Sequence, residues 1–195
     1  TEITEDCDAV LVVGPESAIT SEDAGLQRDH VRRGGNLLCA LDPLLDRSDV
    51  RTSGLEDVLR ELGVRVDRTV VLELDGSRLA PDRPSPAGPF LIATYGTHPI
   101  TQAFAATGIP MVVNLVRSVR LVDEDRGDVL LSTSDSSFGE VDVAALIETA
   151  EPHRDDADIA GPVSIAVALE GERLDGDDDA GAEDAADAVD GGAED

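Results

Sequence analysis

The sequence contains no lysine and no tryptophan, and only one tyrosine, three phenylalanines and two cysteines in 195 residues. With so few aromatics, a core has to be assembled from Val, Leu, Ile and Ala. The length suits one domain with enough chain to bury a sizeable core. Cys7 and Cys39 stand too far apart for a metal finger or a redox pair, so the thiols leave the compartment undecided. The longest apolar runs, NLLCAL and SIAVAL, fall far short of the roughly 20 residues that cross a bilayer. No secretory signal opens the chain. It begins with Thr1, as expected of an excised piece whose targeting and anchoring segments lie outside it.

Positive charge is scarce as well. All fifteen basic residues are arginine, and they face 42 acids, for a net charge of −27. The stretch after Leu174, DGDDDAGAEDAADAVDGGAED, holds ten of the acids and no base, which leaves 32 acids against 15 arginines elsewhere. With no basic stripe to release counterions, nucleic acid and anionic lipid headgroups are repelled partners, and no nucleic acid is expected. An Asp-rich, Lys-free surface fits a high-salt host or a GC-rich genome. It speaks to solubility and not to fold.

What the chain does have is short apolar segments in regular alternation with polar ones. DAVLVV (8–13) and NLLCAL (36–41) read as strands buried on both faces. Between them Thr20 or Ser21 can cap a helix with Glu22 and Asp23 in its first turn and Arg32 and Arg33 in its last. Gly34 then stands where a left-handed cap belongs. LEDVLREL (55–62) has its leucines and valine at helical spacing and is closed by Gly63. Strands are expected over 64–74, 90–95, 110–116, 119–122, 128–132 and 162–171, a short helix over 141–150, and a surface loop over 75–89. This order predicts an α/β domain over residues 1–171. Its sheet is mostly parallel and flanked by helices, Rossmann-like, with some antiparallel strands. Residues 172–195 read as an acidic low-complexity tail that should stay disordered.

Ligands in such sheets bind beyond the carboxyl ends of strands. Those ends nominate Glu16, Ser17, Asp42, Tyr95, Thr97, His98, Thr133, Ser134, Asp135 and Ser136 as a ligand-binding rim. Each has a plainer reading. Asp42 can cap the turn that Pro43 fixes. His98 precedes a proline that can open a helix, and it has no second ligand at i+3 or i+4 to suggest a metal. The hydroxyls of TSDSSFGEVD (133–142) can hold their own loop. Gly34-Gly35 follows a helix and precedes a strand, the reverse of a phosphate loop. Cys39 stands inside its strand and not on a sharp turn beyond it, so it reads as packing and not as a nucleophile. His30 and His153 lie among charged residues and read as solvated. No Ser-His-Asp set, HExxH, CxxC or GxGxxG occurs, and neither a metal nor a cofactor is expected.

The segments DAVLVVGPESAITSED, HVRRGGNLLCALDPLL, GLEDVLRELGVRV, YGTHPIT, NLVRSV through LLSTSDSSFGEVD, and GPVSIAVALEG follow one another in an order and spacing over residues 5–171 that has a counterpart. Together they resemble the auxiliary, substrate-binding-like proteins of ABC transport systems of the gliding-motility (GldG) type. The resemblance implies an extracytoplasmic domain in the cell envelope, held by membrane segments outside this chain and working beside an ABC permease and ATPase. It also implies a fold similar to the class I glutamine-amidotransferase-like group, which intraflagellar-transport-type domains also use. Set against the nucleophile elbow of that group, VRRGGNLLCALDP places Leu41, not Cys39, at the attacking position, which implies a scaffold without amidotransferase chemistry. The expected function is a non-enzymatic accessory domain. The rivals are a sugar- or peptide-binding module, or a hydrolase-like enzyme using the rim around His98 and Asp42.

Overall fold

The computed structural model describes residues 2–4, 6–47, 49–82, 84–92, 94–149 and 151–171. The acidic tail expected from residue 172 lies outside them. Strand β1 (Ala9–Val13) leads through helix α1 (Ser21–Arg32) to β2 (Asn36–Ala40). A hairpin follows, β3 (Leu44–Leu45) and β4 (Val50–Arg51), then α2 (Glu56–Glu61), β5 (Val64–Val66) and β6 (Val70–Leu72). After the proline-rich loop come β7 (Phe90–Ile92), β8 (Thr94–Tyr95), α3 (Pro99–Thr107), β9 (Met111–Val113) and β10 (Val119–Leu121). The last part holds β11 (Gly127–Ser132), β12 (Phe138–Glu140), α4 (Val143–Thr149), β13 (Ile159–Ala160) and β14 (Ser164–Leu169).

Local signals produced the expected local elements. The Thr20 hydroxyl accepts from the Asp23 N–H at 3.1 Å and caps α1, whose first turn carries Glu22 and Asp23. Gly34 follows with φ of +88° and turns the chain back towards β2. Pro99 opens α3, and Gly108 closes it with φ of +63°.

The arrangement of the strands overturns the expected mostly parallel, Rossmann-like, amidotransferase-like sheet. Among the described residues one pair is parallel, β1 with β2, in register from Ala9↔Asn36 to Val13↔Ala40. Every other pairing is antiparallel: β3 with β4, β5 with β10, β7 with β9, β6–β12–β13 and β8–β11–β14. A parallel pair needs a crossover of a dozen or more residues. α1 spans such a crossover; α2, six residues long, leads into a strand whose partner, β10, lies far along the chain and runs the other way.

Three apolar clusters make the core. Leu55, Val58 and Leu59 of the α2 region pack with Ala24 and Val66 beneath the β1–β2 pair. Val50, Val70, Leu72, Phe138 and Val143 form a second cluster, and Val71, Phe90, Ile92 and Val163 a third. β1 and β2 are not buried on both faces as expected. Val12, Leu37 and Cys39 turn inward, while Leu11, Val13 and Leu38 stay 66%, 68% and 54% exposed. His30 also departs from its solvated reading. It is buried, and its ring lies over Gly35 so closely that a Cβ there would meet it at 2.2 Å.

Inner and outer leucines therefore carry different loads. Leu55→Ala should cost about 2–5 kcal/mol of unfolding free energy. Leu38→Ala should stay within about 0.5 kcal/mol. Urea denaturation of the two variants checks the contrast.

Candidate functional site

The expected rim divides into three separately held groups. Glu16, Ser17 and Asp42 are exposed beyond the carboxyl ends of β1 and β2. There the Gly14 N–H donates to the Ala40 carbonyl, and the Asp42 carboxylate lies 3.7 Å from where a Gly14 Cβ would stand. Asp42 thus abuts the turn after β1.

The second group surrounds the start of α3. The Tyr95 ring stacks on Phe104 with centroids 6.2 Å apart, and its hydroxyl donates to the Ile109 carbonyl at 2.8 Å. His98 Nδ1 accepts the Ile100 N–H at 3.2 Å, so the imidazole caps the helix. Thr97 is exposed. The third group follows β11. Because β8 and β11 run antiparallel with Tyr95 opposite Leu131, residues 97–98 and 133–136 leave the pair in opposite directions. The structure does not bring His98 to the hydroxyl cluster.

That cluster is built around a buried carboxylate. Glu73 is fully buried, and its Oε1 accepts the Ser134 hydroxyl at 2.6 Å and the Asp75 N–H at 2.9 Å. Ser134 accepts the Ser136 N–H in turn. Thr133 bonds the Ser137 hydroxyl and accepts the Val163 N–H at 2.7 Å, tying β11 to the start of β14. Thr133 and Ser134 are buried, while Asp135 and Ser136 stand exposed at the tip. Gly161 approaches so closely that a Cβ would sit 2.5 Å from the Ser137 carbonyl oxygen. Neutral donors satisfy the carboxylate here, as burial demands.

Cys39 faces the cluster of Leu55 and Val58, and burial pushes its thiol up to about 11, away from the thiolate a nucleophile needs. Both cysteines are free thiols. Among the described residues no group of three His, Cys, Asp or Glu converges as a metal site would, and no helix is long and apolar enough to cross a membrane.

Sequence reasoning missed the ionic centre of the fold. Arg117, 2% exposed, donates from Nε to the Asp67 carbonyl at 2.8 Å and from Nη1 to Glu56 Oε1 at 2.9 Å. Asp67 also accepts Arg65 at 2.8 Å, Arg120 in a bidentate pair at 2.7 and 2.8 Å, and the Ser118 hydroxyl at 2.9 Å. The signal present was an arginine inside the apolar run NLVRSV; its partners lie 50 and 61 residues away. Burial pushes the Glu56 carboxyl up. The Ser53 N–H, the Thr52 hydroxyl and Arg117 outweigh that and hold it at about 2, against an ordinary 4.5.

A carboxyl lowered in the folded state adds stability above its unfolded value and loses it as pH falls through the folded one. Glu56→Gln, which leaves the buried Arg117 without its charged partner, should therefore cost about 3 kcal/mol at neutral pH. The gap from the parent should close as pH drops from about 5 towards 2, and urea midpoints across that range measure it.

Of three comparisons with known proteins, one shows a family. No curated protein matches it. A solved structure described as mmIFT52 N-terminal domain is similar at 13% identity with a TM-score of 0.49, over 72% of this chain and 67% of that one. A family profile described as ABC_transp_aux, ABC-type uncharacterized transport system, matches residues 1–177. The chain belongs to this family of ABC-type transport auxiliary proteins.

Proposed function

We propose that this domain is a non-catalytic accessory unit of an ABC transport system, working on the extracytoplasmic side through contact with the membrane-held subunits. The open face of β1–β2 carries the reading. Parallel strands are found almost only where both faces are covered. Here Leu11, Val13 and Leu38 form an apolar strip with no cover among the described residues. Acids frame it, with Asp6 and Asp8 before β1 and Glu16 and Asp42 beyond the carboxyl ends.

The occupant is a subunit of the transporter and not a second copy, because two chains of net charge −27 repel one another. An apolar segment with basic residues at its ends meets both the strip and its frame. The groups suited to chemistry support the non-catalytic reading, since His98 caps a helix, Ser134 is bound to Glu73 and the Cys39 thiol lies against the core. Within the family, the segments quoted above favour the gliding-motility (GldG) branch. Anchoring through segments outside this chain follows from the same reading.

Copurification from detergent-solubilised membranes tests it. The full-length protein should bring down its ABC permease and ATPase. The Leu11→Thr/Leu38→Thr variant, which keeps residues that favour strands, should retain its unfolding midpoint and lose the partners. Undiminished capture by a folded variant would refute the contact. Turnover of a hydrolase substrate that disappears in His98→Ala or Asp42→Ala would refute the non-catalytic role.

A further inference from the structure

Beside α2 a cleft of about 770 Å³ opens between β5, β10 and the segments around Asp49 and Ile159. That size is in the range of small-ligand sites, roughly 300–1,000 Å³. Its lining is charge-balanced on a strongly acidic chain, with Asp49, Glu56, Asp57 and Asp67 facing four arginines. Four of the fifteen arginines line it, Arg60, Arg65, Arg68 and Arg120, on a protein of net charge −27.

Arg65 and Arg120 stand directly opposite each other in the β5–β10 register. Like charges so placed repel unless something lies between them. Asp67 does so from below, but one carboxylate serves two guanidiniums. The side chains of Arg65 and Arg120 remain 61% and 43% exposed, whereas that of Asp67 is 7% exposed.

Hydrogen-bond capacity leans the same way. The two oxygens of Asp67 accept four bonds, and those of Glu56 accept from Ser53, Gly54, Thr52 and Arg117. These two acceptors are consumed, while Asp49 and Asp57, also in the lining, pair with Arg68 at 2.6 Å and Arg60 at 2.8 Å. Donors are left over: Arg65 uses only Nε and Arg120 keeps Nη1 free among the described residues. Arg117, 2% exposed and bonded to the backbone and side chain of two lining residues, has a buried Nη2 without a partner. The Arg65–Arg120 end of the cleft, where free guanidinium N–H groups face a carboxylate already saturated, suits an oxyanion, which arginine holds in a planar fork. Val66, Val141 and Ile159 add an apolar wall against which the body of a ligand can lie.

We propose that this cleft binds the oxyanion of a small acidic ligand, a carboxylate, phosphate or sulfate group, between Arg65 and Arg120. The site does not depend on the transport reading, since it is measured on the isolated chain. Calorimetric titration uses glucuronate, inorganic phosphate and sulfate as probes, with glucose as the neutral control. At least one anion should saturate the chain and glucose should not. Tighter binding of glucuronate identifies an acidic sugar, and tighter binding of phosphate or sulfate a tetrahedral group.

Arg65→Gln should weaken the binding about tenfold, the worth of one charged hydrogen bond. It leaves the bidentate Arg120–Asp67 pair in place, so the fold survives. Arg33→Gln, an exposed arginine outside the cleft lining, should leave binding unchanged. Absence of saturation by all three anions at about 10 mM, roughly the weakest affinity a built site would show, overturns the proposal. So does equal binding of glucose, or an equal loss in Arg65→Gln and Arg33→Gln.

Discussion

The guanidinium of Arg117 is the contact on which the architecture turns. It is buried, yet it reaches the Asp67 carbonyl after β5 and the Glu56 carboxylate at the start of α2. It therefore clamps the segment that leads into β10 to the α2–β5 unit. Around it, the Asp67 N–H donates to the Ser118 carbonyl and the Ser118 N–H donates to the Thr69 hydroxyl, so the crossing is stitched through backbone and side chain together. Removing one member of a buried pair costs about 3–5 kcal/mol because the other is left charged and dry. A six-residue α2 would not hold its place by propensity alone, since helices this short are marginal in water. Its position comes from this ion pair and from Leu55, Val58 and Leu59 packing below.

The same clamp explains why the chain has a mixed layout. Segment 116–121 is drawn against segment 63–71, with the Val71 N–H donating to the Val116 carbonyl and the Val122 N–H to the Gly63 carbonyl. That long-range antiparallel contact takes the place a crossover strand would hold in a helix-covered sheet. None of it could be read from local pattern. The Thr20 cap, the proline at the start of α3 and the apolar runs that mark β1 and β2 as strands are properties of neighbouring residues, and they were legible. Strand pairing is a choice among segments tens of residues apart, and beside the β5–β10 pair stand arginines whose partners no spacing rule connects. For the same reason the rim residues were found singly, each with its plain local role, while Arg65, Arg120 and Asp67 were passed over as part of an ordinary strand.

Burial on both faces of β1 and β2 was a reasonable inference from an uninterrupted apolar run, and it failed on one face. The inward half, Val12, Leu37 and Cys39, joins the Leu55 cluster. The outward half has the composition of a buried face and no cover among the described residues. Composition reports what a surface is suited to meet, which includes partners outside the chain.

Such a pair is open to mispairing. Neither strand carries a charge, a proline or a bulge, the devices that usually protect free edges. What separates copies of this chain is its charge: the strip is framed by carboxylates, and the whole molecule is strongly negative. The protection is collective and reaches only about a Debye length, roughly 8 Å at physiological ionic strength. It opposes every acidic neighbour and favours basic ones. In the contact proposed above, a surface that repels its own copies while keeping an apolar strip uncovered would select its partner by charge first and by shape afterwards.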